Sequence, residues 1–437
     1  MKNNSSQRLR NVFYTLLACA IALLYYLGPG EIQGQIMSLI LLGLQLFLIF
    51  SSFYHKNVWL GIVFFFMLSY CYEPSRYYFF HEQIATYSQS QTPSTVYYTG
   101  LLTLIFNLVF SWVIPFQNNC KNIGKPIQIR SNILIYLFCL VFGIVCLVQG
   151  KSGQTIIESG GYGNTLRNME GSSLFGYGVI PLAVCLIYAD SKVKRIILYC
   201  VCLIYIMKDF LLGGRVDSII LCLSLYMLRF RYIWSTRTTL IILAFGLVLN
   251  LTWGSFRSNT SVNFYDTLST EINNIGFRTG NSGEVYYASM RIYYMIEQGV
   301  LTTGKRIQSA LEFLLSSVMP YNKLSSLANL SSYNRWHFRT LGGGLISVFL
   351  YAWGGVAGVI GVACLIGYAI RRFITAHVSK YFNLYICLVI ATCPRWYAYY
   401  PIQLIKFCVF GVLFFVLMET VRTGKLPSFR KKMSHAK

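Results

Sequence analysis

The chain has 437 residues, 55% of them hydrophobic, 16% aromatic and only 12% charged, with a mean hydropathy of +0.53. A soluble chain is about one quarter charged, so this composition excludes a soluble enzyme, a secreted disulfide scaffold, a DNA-binding domain and a disordered chain. What remains is an all-α polytopic membrane protein, with apolar residues enough for about twelve spans at about 20 residues each.

The apolar runs fall at 12–27, 36–54, 58–72, 96–114, 133–148, 174–188, 196–212, 216–232, 238–253, 342–368, 381–393 and 398–421. The first follows Lys2, Arg8 and Arg10 and ends at Gly28-Pro29-Gly30, not at a small-x-small cleavage site. It reads as an uncleaved anchor. The formal charge is +23, from 37 Lys+Arg against 14 Asp+Glu. In a twelve-span layout most basic residues collect on one side: the leader, Lys56, 121–130, 192–195, 229–237, 371–380 and the tail. The positive-inside rule then puts both termini in the cytoplasm. No basic stripe stands apart from the spans, so nucleic acid is not an expected partner. The 13 cysteines lie nearly all in apolar runs and read as small hydrophobes, with no disulfide and no zinc site.

The opposite face carries longer segments at 73–95, 149–173 and 254–341, and a tight turn at 213–215. The loop 254–341 far exceeds an ordinary connection and marks a functional segment. The expected organisation is 1–253 with nine spans, 254–341 as an outer, periplasmic cap, and 342–437 with three spans and a basic tail. Within the cap, 284–298 and 305–318 read as amphipathic helices lying on the membrane surface.

Arginine is frequent on this outer face, where the charge rule should deplete it. Its planar fork binds phosphate oxygens bidentately, so the set reads as a site for a polyanion such as a lipid pyrophosphate. The plainer alternative is that Asp266, Glu271, Glu284, Glu297 and Glu312 pair with these cations. The most pointed stretch is Lys208-Asp209-Phe210-Leu211-Leu212-Gly213-Gly214-Arg215-Val216-Asp217. Its two glycines permit a tight turn, so that Arg215 enters the first turn of the next helix, where free N–H groups favour an anion. Asp217 is suited to hold Arg215 there; the alternative is an Arg–Asp pair that snorkels at the interface.

A second cluster, Arg335-Trp336-His337-Phe338-Arg339-Thr340 followed by Leu341-Gly342-Gly343-Gly344, lies where the long loop re-enters the membrane. His337 is a candidate proton acceptor, with a structural histidine as the alternative. The pair Gly354-Gly355 and Gly358 lie mid-span and read as helix packing. The glycine-rich loop 149–173 carries Arg167 but lacks the Gly-Lys-Ser/Thr ending of a phosphate loop. It suits a sugar ligand or is a plain mobile loop. Interfacial belts explain most of the outer tyrosines, and sugar stacking explains a few.

With the Gly213-Gly214-Arg215 turn before a span, and a large outer loop ahead of the re-entry that runs from Leu341 through three glycines to Trp353-Gly354-Gly355, the chain resembles the Wzy-type O-antigen and capsule repeat-unit polymerases. The resemblance covers most of the chain, and Arg167 followed by Gly178 is similar to a spaced Arg-to-Gly pattern of some members. O-antigen ligases carry a His–Asn pairing in the late outer loop, where this chain has His337-Phe338-Arg339. The resemblance implies a glycosyltransferase C-like fold in the bacterial inner membrane, with no cofactor and no metal. It implies inverting transfer of a glycan from an undecaprenyl-pyrophosphate donor to a sugar hydroxyl of an undecaprenyl-linked acceptor on the periplasmic face. Membrane lipid and a chain-length regulator protein are the further partners. Arg215 and Arg291 are then expected on the pyrophosphate, with Arg278, Arg339 and Arg167 in support. Asp217, Glu284 or His337 would activate the acceptor hydroxyl. A lipid-linked oligosaccharide flippase and an O-antigen ligase are the alternatives; a flippase should show related halves, broken helices at mid-membrane and short loops.

Overall fold

The computed structural model describes residues 2–84, 92–115, 127, 129, 132–159, 170–171, 174–256, 281–319, 323–338, 340, 343–376 and 378–425. In chain order come α1 (Lys2–Leu27), α2 (Glu31–Tyr54), α3 (Val58–Cys71), α4 (Glu73–Phe80), α5 (Pro93–Val113) and α6 (Ile133–Gln149). Next are α7 (Val179–Tyr188), α8 (Lys192–Leu211), α9 (Val216–Leu228), α10 (Thr236–Phe256) and α11 (Asn281–Glu297). The last are α12 (Thr303–Leu315), α13 (Leu330–Phe338), α14 (Ile346–Thr375), α15 (Lys380–Ala391) and α16 (Lys406–Thr423). Among the described residues the one strand pairing joins Lys151–Ser152 to Glu170–Gly171. Several helices open on Ser, Thr or Asn caps that take a backbone N–H, as Thr92, Asn132, Ser191, Thr302 and Ser379 do.

Among the described residues six helical stretches are long and apolar enough to cross a membrane: Arg10–Leu27, Glu31–Tyr54, Val58–Phe80, Pro93–Val113, Ile346–Thr375 and Pro401–Thr423. Shorter apolar helices cover Ile133–Gln149, Leu174–Tyr188, Val216–Leu228, Thr236–Gly246 and Lys380–Ala391. The run expected at 196–212 lies in α8, whose ends carry Lys192, Lys194 and Arg195 on one side and Lys208 and Asp209 on the other. The chain is an all-α membrane protein.

Two compact units form from non-contiguous chain. The first takes Met1–Cys120, Thr279–Thr375 and Cys393–Gln403; the second takes Lys121–Arg278, Ala376–Thr392 and Leu404–Lys437. In the first, α5 packs along α14 and α2. Thr95, Thr99, Thr103, Asn107 and Ser111 recur every four residues on α5, so they share one face, and all are buried. Polar groups in such an interior must find partners within the protein. Thr103 Oγ1 donates to Thr99 O (2.8 Å) and meets Ser347 Oγ of α14 (3.2 Å). Asn107 Nδ2 donates to Gln45 Oε1 of α2, and Tyr397 Oη donates to Asn107 Oδ1, both at 3.2 Å.

Two sequence expectations change here. The helix at 284–298 does not lie open on a surface: α11 is buried from Val285 through Ile292 because α5, α13 and α14 pack around it. By contrast α12 leaves Ile307, Leu311, Leu314 and Leu315 exposed along one side. The Gly354-Gly355 pair is a helix break, not a packing notch. Gly355 has φ 61° and ψ −158° inside α14, and a Cβ at either glycine would have no atom within 4 Å. The break frees carbonyls one turn earlier, and Arg306 of α12 takes them, Nε to Ala352 O (2.6 Å) and Nη2 to Tyr351 O (2.8 Å). Arg306→Ala should therefore lower stability by about 3 kcal/mol, the worth of two charge-assisted bonds. Thermal unfolding in detergent checks this, and an unchanged midpoint would show that the carbonyls are satisfied without Arg306.

In the second unit α7 packs on α6, α9 and α16, and α15 packs on α9 and α16. Glu419 of α16, buried, accepts from Tyr188 Oη (2.7 Å), Arg422 Nε (2.8 Å) and Lys380 Nζ.

Candidate functional site

In the first unit the site is built on α11 and α13. Glu284 stands in the first turn of α11, half-buried, and Arg291 follows seven residues later, about 10 Å along the axis on the same face. Arg291 is only 4% exposed. Its Nε and Nη2 both donate to Tyr287 Oη, at 2.9 and 2.7 Å, one turn back. The guanidinium carbon lies 4.9, 5.7 and 5.0 Å from the ring centroids of Tyr287, Tyr294 and Phe338. Those rings stabilise a cation but do not neutralise it. A guanidinium has five N–H groups; three of these find no partner among the described residues, and no carboxylate there lies at ion-pair distance. Among the described residues no carboxylate pairs with Arg291, and Asp266 and Glu271 of the plainer alternative lie outside them. Glu297 instead takes Ser94 Oγ, and Glu312 takes Ser325 and Gln308.

Helix α13 covers this arginine with Phe338. One turn earlier Asn334 Nδ2 donates to Ala288 O (2.8 Å), while the buried Asn334 Oδ1 and Thr340 Oγ1 find no partner among the described residues. His337 is exposed; its Nδ1 is 2.8 Å from Tyr333 O and its ring leans on that of Tyr333. A carbonyl only accepts, so this contact keeps a proton on Nδ1 and leaves Nε2 as the nitrogen able to receive one.

The second unit holds the glycine turn, organised differently from the expectation. Gly213 takes the left-handed conformation (φ 75°) that reverses the chain. Gly214 is required for space, since a Cβ there would collide with the Asp209 carboxylate. Asp209 is fully buried and accepts from Lys151 Nζ (2.7 Å), Ser218 N (3.1 Å) and Ser218 Oγ (2.9 Å). Asp217, expected to hold Arg215, pairs with the same Lys151 at 3.2 Å. Arg215 is the half-buried N-cap residue of α9. Burial alone would lower the Lys151 pKa, but Asp217 and Asp209 outweigh it and hold the ammonium above its ordinary value. Its Nζ also sits 4.3 Å from the centre of the Phe175 ring.

Beside this turn opens a cleft of about 520 Å³ with an apolar wall of Val148, Ile204, Met207 and Leu211. Lys151, Lys208, Ser152 and Thr155 also line it, and Lys208 Nζ donates to Leu147 O (2.7 Å). Sequence reasoning gave roles to Arg215 and Asp217; it quoted Asp209 in the same stretch without a role and did not bring Lys151 and Ser218 to it. The signal was there in Asp209, an acid directly against an apolar run.

Of the expected site residues, Arg291, Glu284 and His337 belong to the first unit and Arg215 and Asp217 to the second. Arg278, Arg339 and Arg167 lie outside the described residues. The chain matches no protein-family profile, no curated protein sequence and no solved structure.

Proposed function

We propose that this chain is a bacterial inner-membrane glycosyltransferase with twelve spans and both termini cytoplasmic. It polymerises undecaprenyl-pyrophosphate-linked repeat units into O-antigen or capsular polysaccharide on the periplasmic face. The observation that carries this reading is Arg291, a buried guanidinium with three N–H groups unpartnered and no counter-ion among the described residues. A buried charge is costly unless an anion completes it, and a diphosphate has the matching oxygens. The cleft beside Lys208, apolar on one wall and basic at its edge, suits an anionic lipid.

In the reaction the acceptor hydroxyl oxygen attacks the anomeric carbon of the donor sugar from the face opposite the phosphate. The carbon–oxygen bond to phosphate breaks, and undecaprenyl pyrophosphate departs with the electron pair. Arg291 stabilises the charge that grows on the leaving oxygen. At about 4 Å and an effective dielectric near 20 that contact is worth at most about 4 kcal/mol, and only the part gained in the transition state speeds the reaction. The hydroxyl proton passes to a base. His337, through Nε2, and Glu284 share the α11–α13 pair with Arg291, whereas Asp217 already serves Lys151 as a counter-ion.

One observation favours the flippase alternative: the break at Gly355 interrupts a membrane-length helix, as in transporters. Deletion separates the readings. Cells lacking a polymerase should still display single-repeat glycans, whereas loss of a flippase or ligase leaves none. An empty surface in the deletion strain would refute the polymerase reading.

A further inference from the structure

Four helices of the first unit bring Tyr25, Tyr98, Tyr293 and Tyr351 around a cavity of about 100 Å³ floored by Leu101 and Leu102. Tyr98 and Tyr293 stack at 5.2 Å with planes 20° apart, and Tyr293 and Tyr351 stack at 5.7 Å and 27°. The stacks take up part of the ring surface, Tyr25 meets Tyr98 edge-on at 6.5 Å, and the phenolic hydroxyls border the space with the remaining ring surface. None of the four hydroxyls has a hydrogen-bond partner among the described residues, although each can donate once and accept. Glu297, one turn beyond Tyr293 on α11, accepts from Ser94, one turn before Tyr98 on α5, so a carboxylate stands at the rim.

This combination selects a ligand class. An anion is disfavoured by Glu297. A quaternary ammonium has neither an N–H nor a lone pair, so it would leave all four hydroxyls without a hydrogen bond. A neutral polyol answers both features: its hydroxyls donate and accept in turn with the phenols, and its C–H edges rest on the two leucines. The volume admits one end of a monosaccharide and not a longer ligand, since pockets for larger molecules run to several hundred Å³. We infer that the Tyr25–Tyr98–Tyr293–Tyr351 cavity is a binding site for one end of a single sugar ring. It rests on the glycosyltransferase reading only in the choice of sugars to try. Its test reads binding without lipid donor or elongation, so either idea can fail alone.

Saturation-transfer NMR on the full chain in nanodiscs tests it, with the methyl glycosides of glucose, galactose, mannose and N-acetylglucosamine as probes. Tetramethylammonium and inorganic phosphate serve as the cationic and anionic controls. At least one glycoside should receive saturation, and neither control should displace it. Tyr98→Phe, Tyr293→Phe and Tyr351→Phe keep the ring stack and remove one hydroxyl each. Each should weaken binding roughly fivefold, the usual worth of one neutral hydrogen bond, with an unchanged unfolding midpoint. Three results would overturn the inference: no saturation with any glycoside, equal saturation in the triple Phe variant, or displacement by tetramethylammonium.

Discussion

Replacing Arg291 by Gln should remove long-chain polysaccharide while the protein stays folded and single-repeat glycans remain on the cell. Gln retains a hydrogen bond to Tyr287 but neither the charge nor the fork. If Arg291 neutralises the departing diphosphate, elongation by membranes carrying the variant should fall at least about a hundredfold, the cost of one lost preorganised donor in a dry site. Stability should move the other way. A cation 4% exposed, with no carboxylate at ion-pair distance among the described residues, is a burden on the folded state, so R291Q should unfold no earlier than the parent and up to about 1 kcal/mol later. A purely structural arginine would show the reverse, a lower unfolding midpoint with chain length unaffected. Arg291→Lys keeps the charge without the bidentate geometry and should fall between the two. Normal long chains from R291Q would remove Arg291 from the site.

The largest stability effect should come from Asp209→Asn. This carboxylate is fully buried and gathers three donors from two segments, Lys151 and Ser218. Asn has nearly the same shape but no charge, which leaves Lys151 with Asp217 alone. Breaking one partner of a buried pair costs about 3 kcal/mol or more. Asp217, at 13% side-chain exposure and 3.2 Å from Lys151, should cost about 1 kcal/mol when changed to Asn. The double variant D209N with Lys151→Met should recover part of the loss, because it removes the unpaired cation as well. Because the Lys151 pKa is raised on folding, the stability it contributes is complete below its ordinary value of 10.5 and is lost only as the pH climbs through the higher folded value. The D209N penalty should therefore hold constant across neutral pH. Denaturant unfolding in micelles measures all three variants; D209N no less stable than D217N would refute the role of Asp209 as the centre of the turn.

Composition alone settled that the chain is an all-helical membrane protein, because an apolar run of span length has to satisfy its own backbone bonds. Most of the apolar stretch read from the sequence falls on helices for the same local reason, 343–345 and 398–400 excepted, and the Gly213-Gly214 turn was legible in two adjacent residues. Which charges are paired was not legible. Lys151 reaches Asp209 across 58 residues of sequence, and Asp217 pairs with that same lysine. Glycine permits either close packing or a left-handed break, so only the backbone of α14 could tell that Gly355 interrupts the helix and that Arg306 caps it. The same holds for α11, whose periodicity describes one helix surface but not how many helices will cover it. Local pattern sets where helices form, whereas the partner of a buried charge is chosen by contacts distant in sequence. For that reason the lack of a carboxylate beside Arg291 among the described residues became visible only in the tertiary structure.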